Sequence, residues 1–143
     1  MAIVFGVTFE KRQEYETVLV QKMSLGDSLD GSGNLVCRNG GIAWVVAPES
    51  TEVTTTWNNM EDAVCNATSN AKCRDWFVPT VGDLENPGYV CRTNWDSYSS
   101  SFYWSKTEHD SNHAYAVNFL NGTRCLSSKT NAYRVRAFRC VAY

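Results

Sequence analysis

No apolar run in this sequence approaches the roughly 18–20 residues that a membrane-spanning helix requires. The longest N-terminal apolar stretch, Ala2–Thr8, has neither a basic flank nor a following cleavage-type segment, so neither a spanning helix nor a signal peptide is expected. Positive charge is thinly spread: 13 basic residues face 15 acidic ones, net −2, and outside the last strand nothing is denser than the pair Lys11–Arg12. A nucleic-acid partner is not expected from that distribution. No C-x-x-C occurs, which argues against a structural zinc site. The G-x-G at Gly31–Gly33 neither follows a convincing strand nor opens a helix, so it does not read as a phosphate cradle. There is no nucleophile elbow and no evident pair of buried carboxylates. The expectation is a protein that is not an enzyme and holds no cofactor and no metal.

What is present suits one domain with its own core: 143 residues, 43% of them apolar and 13% aromatic. Cys37, Cys65, Cys73, Cys91, Cys125 and Cys140 are many for a chain without a secretion signal. Both facts fit a protein assembled inside a cell that works outside it, as a virus particle component does. The pairing of the six stays open.

Along the chain, Ala2–Gln21 reads as two short strands or a strand and an arm, which could form a docking surface. A turn-rich stretch, Gly26–Gly41, holds a short strand at Asn34–Arg38, and Gly41–Ala47 reads as a buried strand ended by Pro48. Trp57, Met60, Ala63, Val64, Ala67 and Ala71 recur every three or four residues, which predicts a helix of about four turns, capped by Thr54–Thr56. Thr80 and Asp83 form a capping box for a brief second helix that Pro87-Gly88 would stop. Ala114–Leu120 and Thr123–Leu126 alternate around Asn121-Gly122, a type I′ hairpin signal. The terminal strand, Tyr133–Tyr143, shifts its alternation midway, as a bulge would cause.

The candidate site lies between these elements. Thr93 to Trp104 is polar and aromatic, a composition suited to an adaptable surface loop. Trp44, Trp57, Trp76 and Trp104 sit in apolar contexts and are expected in the core. Trp95, flanked by Asn94 and Asp96, is expected outside with Tyr98, Phe102 and Tyr103, so that Asn94, Trp95, Asp96, Tyr98, Phe102 and Tyr103 form a contact surface for sugar or protein. Under that reading Trp95→Ala weakens binding and leaves melting nearly unchanged. His109 and His113 flank a turn, Asp110-Ser111-Asn112, and read as solvated histidines. Cys91 or Cys125 beside either histidine has no local signature of a thiol nucleophile.

Taken in order, these pieces resemble the C-terminal domain family of collagen-like bacterial adhesins, the Lcl domain, a branch of the C-type-lectin-like fold. The landmarks are Gly31–Leu35, Gly40-Gly41-Ile42-Ala43-Trp44, Thr56-Trp57, Asp75-Trp76-Phe77-Val78-Pro79-Thr80 with Asp83-Leu84, Tyr103-Trp104-Ser105, Ala116-Val117-Asn118-Phe119, Gly122, and Arg136 to Val141. Coverage runs from residue 31 to 143, leaving 1–30 as an N-terminal arm or added strands. The sequence departs from the family at Phe77-Val78, where Arg-Leu is usual, and at Val64, where the helix cysteine usually stands.

The resemblance implies an α+β fold with a curved antiparallel sheet, two helices and a long loop region. It implies a helix-to-last-strand disulfide, Cys65 with Cys140. Lectins of this fold often bind calcium through a Glu-Pro-Asn loop and a Trp-Asn-Asp strand; Glu85-Asn86-Pro87 and Asn94-Trp95-Asp96 are scrambled versions. Since many phage tail and fibre proteins carry such domains, the expected function is a phage virion protein: tail fibre, spike, baseplate or capsid decoration. It would be assembled in the host cytoplasm, oligomeric, and bind other virion proteins or a host-surface glycan or receptor. The alternatives are a cellular glycan-binding adhesin at the cell surface and a small enzyme of the formylglycine-generating fold class.

Overall fold

The computed structural model describes the backbone of residues 3–4 and 7–10 and all of residues 11–29, 31–67 and 75–143. The chain is α+β. Strands β1 (Ile3–Val4) and β2 (Val7–Thr8) form a small antiparallel ribbon, and helix α1 (Phe9–Lys22) follows directly. Where Tyr15 and Val18–Val20 read as a second strand or an arm, the chain is helical: the Glu, Lys, Arg and Gln of this stretch are good helix formers, which outweighs the short Val-Leu-Val run.

Helix α1 is seated on the domain. Val20 is fully buried, the Glu16 carboxylate takes two hydrogen bonds from Arg139 at 2.8 and 2.6 Å, and Thr17 Oγ1 donates to the Ala142 carbonyl. Arg38 donates to the carbonyls of Val20 and Met23, satisfying acceptors that the end of a helix leaves open. The boundary expected at residue 31 is therefore no break in packing: Val20 and Leu29 belong to the same core as Trp76 and Trp104.

Strands β3 (Asn34–Asn39) and β4 (Ile42–Val46) are joined through Gly40 and Gly41, both at positive φ, +58° and +81°, as a two-residue primed turn requires. β5 (Val53–Thr55) absorbs two of the threonines expected to cap the next helix, while the Thr56 hydroxyl makes no cap bond and instead accepts from Asn59 Nδ2. A tight turn, Trp57–Asn59, leads into α2 (Met60–Ala67); Ala71 and Cys73 lie outside the described residues. The Thr80 cap is formed, its hydroxyl accepting from Asp83 N at 3.1 Å at the start of α3 (Val81–Asp83). Pro87 does not stop the coil there; the chain passes through a wider turn, Leu84–Tyr89, with Asn86 non-helical, and then the turn Arg92–Asn94.

The remaining strands are β6 (Phe102–Glu108), β7 (His113–Asn118), β8 (Thr123–Ser128), β9 (Tyr133–Val135) and β10 (Phe138–Ala142). They build a five-stranded sheet in the order β5-β9-β6-β7-β8 and a three-stranded sheet β10-β4-β3. The β7–β8 hairpin is as expected, but its last pair is Asn118 with Thr123, so four residues form the loop. Only Gly122 among them has positive φ, and a Cβ there would lie 2.5 Å from the Tyr89 ring. The alternation shift in the terminal strand marks a change of sheet. β9 serves one sheet, β10 the other, and Arg136-Ala137 carry the chain between them.

Among the described residues two buried clusters fill the interior. One gathers Leu35, Val45, Val64, Trp76, Trp104 and Val135; the other gathers Val36, Leu84, Trp95, Tyr103, Phe119 and Phe138. Trp76 and Trp104 are buried as expected, while Trp44 and Trp57 are half-buried, Trp44 lying edge-on to Phe77 and Phe138.

Candidate functional site

The segment Trp95–Ser101 joins the turn at Arg92–Asn94 to β6. It is polar in composition, yet its backbone is held from beneath. Arg136, 1% exposed at the side chain, donates to Ser97 O and Ala47 O and twice to Glu52 Oε1. Arg134 binds the other Glu52 oxygen at 3.0 Å and reaches Ser101 Oγ. Tyr103 Oη donates to Glu52 at 2.5 Å and accepts from Ser99 N at 2.9 Å. Asp96 accepts from Glu49 N at the loop's outer edge, and Ser97 is held at φ +94°. A largely buried carboxylate thus binds two guanidinium groups and a phenol, and these three partners clamp the loop at Ser97, Ser99 and Ser101.

This arrangement corrects the expected contact surface at two positions. Trp95 is 5% exposed, packed against Tyr103, Phe119 and Phe138 with Arg136 5.2 Å above its ring. Tyr103 is wholly buried. Their polar neighbours are what hide them: Asn94 turns its side chain in to donate to Val36 O, and its own carbonyl accepts from Asn34 Nδ2, so the chain enters the core at Trp95. Asp96, Ser97 and Ser100 are exposed, and Tyr98 and Phe102 are half-exposed. Tyr98 leans on Phe119 with the Arg92 guanidinium near its ring, and Phe102 stacks on Tyr133 at 4.9 Å. Six candidates therefore divide into an outward group, Asp96, Tyr98 and Phe102, two buried rings, Trp95 and Tyr103, and Asn94, half-buried with its side chain bound to Val36 O.

The scrambled calcium-loop residues have other work. Glu85 forms a two-point ion pair with Arg124, at 3.1 and 2.6 Å, and the Asn94 and Asp96 side chains bind backbone, as above. Among the described residues no three His, Cys, Asp or Glu side chains gather as a metal site would need. His113 Nδ1 pairs with Asp110 at 3.0 Å, and His109 Nδ1 with Tyr115 Oη at 3.3 Å. The Asp110 carboxyl is held below its ordinary range, by hydrogen bonds from Asn112 N and His113. The expected disulfide is also corrected: Cys65 is disulfide-bonded, but Cys140 is a free thiol, as are Cys37, Cys91 and Cys125. Cys140 sits on β10, paired in register with Trp44 on β4.

No family model matches the chain, and no curated protein matches it in sequence.

A second outward face went unread in the sequence. On the β7–β8 hairpin Tyr115 stands opposite Leu126, with the Arg124 guanidinium 5.7 Å from the Tyr115 ring and His109 edge-on to it. Leu126, Leu120 and Val90 are half or more exposed. The alternation of Tyr115 and Leu126 was visible, but which face of the hairpin the helical turns leave bare depends on tertiary packing. Two open recesses lie elsewhere: one of about 310 Å³ between α1 and β10, lined by Glu16, Thr17 and Arg139, and one of about 340 Å³ beside α2, lined by Glu61, Trp76 and Lys106.

Proposed function

We propose that this chain is a non-enzymatic structural protein of a bacteriophage particle, a tail-fibre, spike, baseplate or capsid-decoration subunit with a C-type-lectin-like domain of the Lcl type. Its contact surface binds a partner protein of the particle or a host-surface glycan. It is assembled in the host cytoplasm, acts in the virion as an oligomer, and engages neither nucleic acid nor membrane.

One observation supports contact as the job of the loop: Arg136, Glu52 and Tyr103 grip its backbone while Asp96, Tyr98, Ser100 and Phe102 are left to face outward in whole or part. A surface held in advance loses little conformational freedom when a partner docks, which favours affinity. Half-exposed aromatic rings beside hydroxyls and a carboxylate offer flat apolar area with polar rims, a chemistry that suits sugar faces and protein interfaces alike. The α+β architecture, with two main sheets and short helices, is compatible with the lectin-like class.

The test is binding of the purified protein to an array of bacterial surface polysaccharides, alongside its incorporation into assembled particles. A Tyr98→Ala/Phe102→Ala double variant with unchanged melting should lose at least tenfold in one of the two assays. Equal binding and equal incorporation by that variant would remove the loop from the proposal.

A further inference from the structure

Strand β8 ends the five-stranded sheet on one side, and among the described residues its outer edge carries no neighbouring strand. Which backbone groups point outward there follows from the ladder. Lys129 N donates to Asn112 O at 2.9 Å, one pair beyond His113 and Ser128. Bonded and non-bonded pairs alternate along an antiparallel ladder, so Ala114–Ser127 and Ala116–Cys125 are bonded pairs. Arg124, Leu126 and Ser128 therefore turn their N–H and C=O groups away from β7. Tyr115, opposite Leu126, agrees: its carbonyl faces β6, where it accepts from Ser105 Oγ at 2.6 Å. Asn131 N takes the Ser128 carbonyl at 3.0 Å, but among the described residues nothing meets the N–H or C=O of Arg124 and Leu126. The smaller sheet is covered at both edges: Leu35 of β3 binds Gly26 N and Asp27 O, and Phe138 of β10 exchanges two bonds with Phe77.

Proteins ordinarily blunt an open edge with proline or with free charges. Thr123–Ser128 contains no proline, and its one charged side chain, Arg124, is bound at two points by Glu85, at 3.1 and 2.6 Å. Leu126, on the same face, is 50% exposed.

We propose that β8 pairs antiparallel with β8 of a second copy of this chain about a two-fold axis, joining the two five-stranded sheets into one. This interface rests on the oligomer proposed above and not on what the loop binds. The register follows from the open groups. Arg124 opposite the partner's Leu126 lets the two residues exchange both N–H···O=C bonds, and the two-fold axis repeats the exchange, so every open group of Arg124 and Leu126 in both copies is satisfied. Leu126 opposite the partner's Leu126 would call on the Ser128 carbonyl, which Asn131 N already holds. Arg124 opposite the partner's Arg124 would set like charges face to face. In the chosen register Leu126 lies against the alkyl stem of the partner's Arg124, whose charge Glu85 has already met. A second β8 suits this edge because it arrives extended and held by its own β7, so no chain has to be ordered on docking. Cys125 falls on the axis, opposite the partner's Cys125 in a non-hydrogen-bonded pair, with Cα atoms about 4.5 Å apart.

The experiment measures the mass of the full chain by light scattering after size exclusion at high micromolar concentration, and treats the same sample with a short bismaleimide before digestion and mass spectrometry. The expected results are the mass of two chains and a cross-link from Cys125 to Cys125, which only two copies can form. Leu126→Pro removes an outward N–H and leaves the bonds to β7 in place, while Leu126→Lys adds a free charge to the edge. Each should weaken dimerisation at least tenfold and keep a cooperative melt; should Leu126→Pro fail to fold, Leu126→Lys decides. A dimer undiminished in the Leu126 variants, or one whose cross-links spare Cys125, would overturn this interface and leave the oligomer standing. The mass of a single chain at every concentration would overturn both.

Discussion

Arg136 donates from both Nε and Nη2 to the same oxygen of Glu52, at 3.2 and 2.9 Å, across the seam where the chain passes from one sheet to the other. Arg134 takes the second oxygen, so the carboxylate is shared by two cations and a phenol. A buried ion pair adds little net stability when complete but costs a great deal when halved. Arg136→Ala should therefore destabilise the fold by about 3–5 kcal/mol in urea unfolding. It should also speed hydrogen exchange at Ser97 and Ser99. An unchanged exchange rate there would mean that the loop does not depend on Arg136.

Trp95 and Tyr98 should separate cleanly. Trp95→Ala opens a cavity between Tyr103, Phe119 and Phe138 and should cost about 3–5 kcal/mol, contrary to the loop-surface expectation. Tyr98→Ala removes a half-exposed ring and should cost less than about 1.5 kcal/mol. Thermal melts of the two variants, side by side, check both.

Glu16 and Arg139 fasten helix α1 to β10 with both side chains less than a tenth exposed. Glu16→Ala leaves the Arg139 guanidinium buried beside the Trp76 ring without its carboxylate, and should cost about 3–5 kcal/mol. Limited proteolysis should then cut within α1 before the rest of the domain; simultaneous loss of both would show that α1 is not a separable fastening.

Stability should decline in alkali through Tyr103. Its hydroxyl is pushed above the ordinary tyrosine range by burial first and then by donation to Glu52, against the opposing influence of Ser99 N and the Arg136 charge. A phenol that resists ionisation only when folded contributes stability that is fully present below the unfolded value of about 10 and is lost as pH rises beyond it. Urea midpoints measured from pH 8 to 11 should fall above about pH 10. The Tyr103→Phe variant, weaker by about 1–2 kcal/mol at pH 8, should fall less steeply.

Much of the fold was legible because its signals are local. The Gly40-Gly41 turn, the Thr80 cap, strand β4 and the β7–β8 hairpin each follow from residues within a few positions of one another. The misreadings have the opposite origin. Trp95 looked exposed because its chain neighbours are polar, but those neighbours bind Val36 O and Glu49 N, more than forty residues away. The Val135/Phe138 shift looked like a bulge because a change of sheet and a bulge leave the same mark on alternation.

The sequence by itself determined most strand positions, the Thr80 helix cap and the burial of Trp76 and Trp104, since turn chemistry and hydrophobic period act between near neighbours. Only the tertiary structure decided which polar-flanked rings go inside and which arginines are buried. Those outcomes depend on partners supplied by distant segments: Glu52 for Arg136, Glu16 for Arg139. A charge carries no mark in its own neighbourhood of the group that will neutralise it.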